Sequence, residues 1–235
     1  MSLGILDYKG CLLKRTANIV MLKVEGVSST VAYNHIRGVN VENVSFDGDI
    51  HAEDMIQLIS TSYFKFENCA IFYGAGRQIL FWECWDSRFL NVDFIYGGST
   101  DGVTSGIEFR STDGDLGGAT LENTNNIYFD GCRFEWYYNA IESTGFNTNM
   151  IMFNNCKFES ENCTVNPHMK FSKARTINFS NVVFVTKKIV PNVLEFYQTE
   201  GVNGDVSITY ALDSVDVDGA TIKAEDPTGF NLRLI

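Results

Sequence analysis

The chain has 235 residues, 18 of them Lys or Arg and 29 Asp or Glu, for a formal net charge of −11. Such an acidic chain gains nothing from counterion release on a phosphate backbone, so nucleic acid is disfavoured as a partner, and no basic cluster exceeds a pair such as Lys187-Lys188 or Lys14-Arg15. The 45% of hydrophobic residues supports a packed core; there is no apolar run of about 18 residues to cross a membrane, and Met1 to Asp7 lack the order of a secretory signal.

The 18 Phe, 10 Tyr and 20 Gly against three Pro predict short strands and tight turns instead of helices. Strand-like residues open the chain at 17–24. A six-residue pattern then recurs: apolar, any residue, Asn or Gly, small apolar, any residue, large apolar. Copies stand at 41–46, 66–71, 89–94, 129–134, 153–158, 179–184 and, more weakly, 217–222. Most successive copies are about two dozen residues apart, and the two longer intervals predict insertions at about 110–125 and 197–214. The third position holds only Asn43, Asn68, Asn91, Gly131, Asn155, Asn181 or Gly219, residue types that tolerate a left-handed backbone, which marks a sharp bend between two strands.

A further strand follows each bend, at 56–58, 79–81, 107–109, 141–143, 169–171 and 194–196, with period-2 alternation. Three short strands per coil, stacked coil on coil, define an all-β fold: a single-stranded, right-handed parallel β-helix of about seven to nine coils, filling one domain over 1–235. Stacked Asn side chains have a structural task at the bend, and Cys69, Cys132 and Cys156 should pack inward beside them. The six cysteines have no CxxC or zinc-type spacing and are expected to be free thiols, with no metal and no cofactor implied. Neither end shows an amphipathic capping helix, so a longer chain or a self-capping oligomer is expected.

In the third-strand column the outward residues are Gln57, Leu80, Glu108, Glu142, Lys170 and Glu195, then Ile59, Trp82, Arg110, Thr144, Ser172 and Tyr197. Glu108 and Glu142 fall on adjacent rungs, near the roughly 5 Å separation of a retaining glycosidase pair. They are the candidate catalytic residues, with Trp82 and Arg110 as candidate substrate contacts; a solvated ion-pair ladder explains Glu142, Lys170 and Glu195 equally well. Asp113 and Asp115, in the first insertion, are held in reserve as an acid pair, a turn or a cation site. Of Trp136, Tyr137 and Tyr138, three consecutive rings, at least one should be exposed, and Trp136 and Tyr137 join the candidate substrate contacts. His35, His51 and His168 have no Ser or Cys beside them in repeating register, so a nucleophilic triad is not expected.

The coils carrying Asn68-Cys69, Gly131-Cys132 and Asn155-Cys156 resemble the pectate-lyase-like β-helix superfamily. Residues 126–135 and 150–159 are similar to β-helix domains of phage and prophage tail spikes. This resemblance, over about 36–225, implies a cell-surface polysaccharide or other glycan as partner, a homotrimer, and a virion location after cytoplasmic synthesis. It implies no catalytic residue, because neither the polygalacturonase nor the pectate-lyase site pattern is present. The expected function is glycan binding, with cleavage by hydrolase or lyase chemistry as a further possibility. The alternatives are a non-enzymatic structural or adhesion shaft and a free-standing polysaccharide-degrading enzyme.

Overall fold

A computed structural model describes residues 9–26, 35–110, 124–144, 148–160, 166–186, 192–210 and 221–235. The elements there are strands, with no helix, joined by parallel pairings into one continuous sheet wound as a parallel β-helix. Three ladders make up each coil. The first-strand ladder runs through Asn40–Glu42, Lys65–Glu67, the end of Ile79–Leu90, Thr124–Asp130, Thr148–Asn154 and the start of Arg175–Thr186. The second-strand ladder includes Val44–Asp47, Ala70–Gly74, Asp93–Gly97, Arg133–Glu135 and Lys157–Ser160. The third-strand ladder includes Leu22–Glu25, Ile56–Ser62, Ile107–Arg110, Ile141–Thr144, Met169–Ser172 and Asn192–Tyr197. Among the described residues the number of turns differs slightly from the expectation, with the coils at both ends contributing strands to only some of the ladders.

The bend column takes the expected conformation: Asn43, Asn68, Asn91, Asn155 and Asn181 have φ between 50° and 57°, and Gly131 has 64°. Their amides link rungs, as where Asn181 Nδ2 donates to Asn155 Oδ1 at 2.8 Å. One residue on, Cys69, Cys132 and Cys156 are buried, with Cys132 Sγ donating to the Phe89 carbonyl at 3.3 Å. Burial pushes the Cys132 thiol up, which suits packing and not nucleophilic work.

Inside the coil, phenylalanines stack along the axis. Phe66, Phe89, Phe129, Phe153 and Phe179 have successive ring centroids 5.2, 5.0, 5.2 and 5.5 Å apart. A second column, Phe94, Phe134, Phe158 and Phe184, stacks at 4.8, 4.2 and 5.0 Å. Buried aromatic area and ring geometry add to the backbone ladders that join the rungs.

The C-terminal coil corrects two sequence expectations. Residues 200–210, placed in an insertion, form the strand Glu200–Tyr210, which pairs with Arg175–Thr186 as the next rung. Of the weak copy at 217–222 only the last two residues are described, and they belong to Thr221–Glu225, which pairs with Asn192–Tyr197 in the third-strand ladder, where a second-strand position was expected. The bend of this rung is Gly204, with φ 117° and a register shift opposite Phe179 to Val182. A Cβ there would lie 1.8 Å from the Phe179 carbonyl oxygen, so only glycine fits. The first expected insertion, apart from strand residues at its ends, lies outside the described residues, as do Cys163, Asp113 and Asp115.

His168 carries a pH dependence. Its ring is fully buried against Phe184, neither nitrogen has a hydrogen-bond partner among the described residues, and burial pushes its pKa down to about 4 from 6.5. The folded state keeps the imidazole neutral while the unfolded chain takes up a proton below 6.5. Stability from this group is therefore intact above about pH 6.5 and lost as pH falls toward about 4, by up to about 3 kcal/mol. Urea unfolding of His168→Leu should show a loss between about pH 7.5 and pH 4.5 that is smaller than the wild type's by about 2 to 3 kcal/mol. Equal losses would show that the ring is not held neutral in the fold.

Candidate functional site

The third-strand face is laid out as the alternation requires. Glu108 pairs with Leu80 on one side and Glu142 on the other, and Glu142 with Lys170; in the next column Ile59, Trp82, Arg110 and Thr144 run in register. The structure thus brings Glu108, Glu142, Arg110 and Trp82 together on consecutive rungs.

Glu108 is not the solvent-facing carboxylate the alternation suggests, being only 8% exposed. Arg77, from the corner before the preceding third strand, places Nη1 2.5 Å from Glu108 Oε2 and Nε 2.8 Å from Asp54 Oδ1. Arg110 donates from Nε to Glu108 Oε1 at 2.9 Å and from Nη2 to Oε2 at 3.2 Å, and Thr144 Oγ1 donates to Oε1 at 3.1 Å. Burial by itself would raise the Glu108 carboxyl, but the Arg110 hydrogen bond and the Arg77 charge outweigh it and hold it below its ordinary value. Glu142 moves the other way: burial, and then the Glu108 charge, push it up against the opposing charge of Lys170, whose Nζ is 3.6 Å from Oε1.

This is a split pair of carboxylates, one held ionised and one raised, the pattern of divided acid and base roles. The ionised member nevertheless has both oxygens engaged by two guanidiniums and a hydroxyl, which withdraws its lone pairs from nucleophilic attack. Arg77 was missed in the sequence because it lies in a corner outside the repeated pattern.

Two other expectations are corrected. Tyr137, a candidate substrate contact, is 0% exposed: its ring fills a corner beside Gly97 and Gly106, and its hydroxyl donates to Gln78 Oε1. A Cβ on Gly106 would approach that ring to 2.0 Å, so the glycine makes room for the tyrosine. Trp136, at φ 64°, is half-buried at the corner six residues before Glu142. His35, read as having no serine neighbour, places Nδ1 2.6 Å from Ser62 Oγ and Nε2 3.4 Å from Glu83 Oε1, while Ser60 Oγ donates to Glu83 Oε2 at 2.6 Å. All four residues are buried, so this is a polar interior network and not an accessible triad.

Among the described residues, no group of three or more His, Cys, Asp or Glu is placed to hold a metal ion, and no helix is long and apolar enough to cross a membrane. Farther along the third-strand face a groove of about 380 Å³ opens between Lys170, Ser172, Glu195, Tyr197, Lys223 and Glu225. Tyr197 stands 41% exposed at its edge, four rungs beyond Trp82 in the same outward column.

The fold defines the chain as a parallel β-solenoid. Among solved structures it is similar to ORF18 of Geobacillus virus E2, at 16% identity and a TM-score of 0.65, over 96% of this chain and 48% of that one. This likeness is one of fold, and the chain spans about half the length of that protein. No protein-family model and no curated protein matches the chain.

Proposed function

We propose that this chain is the carbohydrate-binding β-helix module of a tail-spike-like, virion-associated phage protein, holding a cell-surface polysaccharide along its third-strand face without cleaving it. The observation that carries the reading is the outward column Trp82, Arg110, Thr144, Ser172 and Tyr197. It offers an indole, hydroxyls and a phenol at a regular rise of about 4.8 Å per rung, ending in the 380 Å³ groove. Aromatic faces interleaved with hydroxyl and charged groups suit sugar rings, whose faces are apolar and edges polar. The likeness of fold to a phage protein supports the virion setting. Engagement of both Glu108 oxygens favours binding over hydrolysis.

On a bacterial surface-glycan array, Trp82→Ala and Tyr197→Ala are expected to weaken binding at least tenfold, with no reducing-end or unsaturated product from the glycan that binds. Binding indifferent to both substitutions would refute the assignment of this face. Product release abolished by Glu142→Gln would establish an enzyme. A folded protein that binds no glycan would point to a structural shaft.

A further inference from the structure

A larger groove, of about 590 Å³, lies on a different face of the coil, over the first-strand ladder. Two columns form it. Tyr63, Asp86 and Asn126 occupy the left-handed bend leading into the first strand, with φ of 57°, 51° and 57°. Two residues on, Lys65, Arg88, Tyr128 and Met152 run in register over consecutive rungs.

Most of the polar groups here are already engaged. Asp86 Oδ1 accepts from Asn126 Nδ2 at 2.6 Å, Lys65 is paired with Glu42 and Glu67, and Tyr128 Oη accepts from Asn154 Nδ2 at 3.1 Å. Arg88 differs: it is exposed and has no ion pair among the described residues. Tyr63 stands out by its exposure. Its bend position is filled in other rungs by Gly38, Gly201 and Gly229, by Asp86 and Asn126, and by Met150 and Thr176, so this column accepts several residue types at positive φ. A tyrosine there strains the backbone, and at 56% exposed its ring recovers little by burial. Its exposed ring and the exposed Arg88 offer a ligand an aromatic face and a charge.

We infer that this groove binds an acidic oligosaccharide, a carboxylate-bearing sugar paired with Arg88 and flanking sugar rings laid on Tyr63 and Tyr128. The two tyrosines stand two rungs apart, about 10 Å along the axis, with Arg88 on the rung between them. The guanidinium fork matches a carboxylate, and the phenol rings match the apolar faces of pyranoses. A single uncommitted cation suits a ligand with about one charge per few rings. A polyphosphate backbone would need several cations and would meet the net charge of −11. Asp86 lines the same groove and opposes the ligand's charge, with its Oδ1 engaged by Asn126, while carboxylates beyond about 8 Å are screened at physiological salt. This site is separate from the third-strand face and does not depend on that reading.

Calorimetric titration of the full chain with trigalacturonate, triglucuronate, sialyllactose, carboxyl-reduced trigalacturonate and inorganic phosphate tests the inference. At least one acidic trisaccharide should bind, with the carboxyl-reduced form at least tenfold weaker. Arg88→Gln should lose at least tenfold. Tyr63→Asn should lose as much while its thermal midpoint rises, because Asn relieves the bend. Binding of none of the acidic sugars, wild-type binding in either variant, or phosphate binding as tightly as the sugars would each overturn the assignment. So would a loss that follows Trp82→Ala and Tyr197→Ala instead of Arg88→Gln, which would put the ligand on the third-strand face.

Discussion

Phe129→Ala is expected to destabilise the protein by about 3 to 5 kcal/mol, the range for truncating a fully packed aromatic. Phe129 is the central ring of the axial column, stacked 5.0 Å from Phe89 and 5.2 Å from Phe153, and it meets Phe94, Phe109 and Phe134 edge-on at 6.3, 6.3 and 5.9 Å. Its removal takes contacts from three rungs at once, and the stacked backbone fixes the spacing between rungs, so the cavity cannot collapse. A solenoid is held together by interfaces between neighbouring rungs, and weakening one central interface should uncouple the two halves. Urea unfolding followed by both circular dichroism and tyrosine fluorescence should change from coincident to separate transitions. A single coincident transition shifted by less than about 1 kcal/mol would show that the core tolerates the void.

The legible parts of this fold are those whose columns are chemically uniform. Asn43, Asn68, Asn91, Asn155 and Asn181 recur because one backbone conformation at the bend selects one residue type, and the inward Phe columns recur because one rung spacing selects one ring size. Glu108 and Glu142 could be placed on adjacent rungs by counting from those columns, and they pair in register. The second bend column is not uniform: Gly38, Tyr63, Asp86, Asn126, Met150 and Thr176 share a left-handed conformation but no chemistry, so neither the bend nor the groove beside it stands out in the sequence. Corners are least legible of all. Tyr137 turns inward and Arg77 reaches Glu108 because of local space, made in one case by Gly106 and in the other by Asp54. In the last coil the bend passes to Gly204 with a register shift, which moves the rung out of the repeated pattern altogether.

Arg15 is a corner residue of this kind, and Arg15→Met should show the other large effect. Its guanidinium is 2% exposed and donates to the carbonyls of Gly48 at 2.9 Å, Ile19 at 3.0 Å, Glu53 at 2.8 Å, His51 at 2.6 Å and Asp54 at 3.4 Å. One planar cation thus bonds four carbonyls of the turn from Gly48 to Asp54. Methionine fills the volume but leaves several carbonyls without donors, at a cost of about 3 to 5 kcal/mol. Lysine should rescue little, since a point charge with three donors cannot reproduce the fork. Asp54 also holds Arg77 through a two-point contact, and Arg77 in turn holds Glu108. Loosening the turn should therefore reach the third-strand face: amide exchange should quicken at residues 48–55 and at Arg77, and glycan binding on that face should weaken although Arg15 touches none of it. Fast exchange confined to residues 48–55, with binding unchanged, would mean that Arg77 is positioned by Glu108 alone.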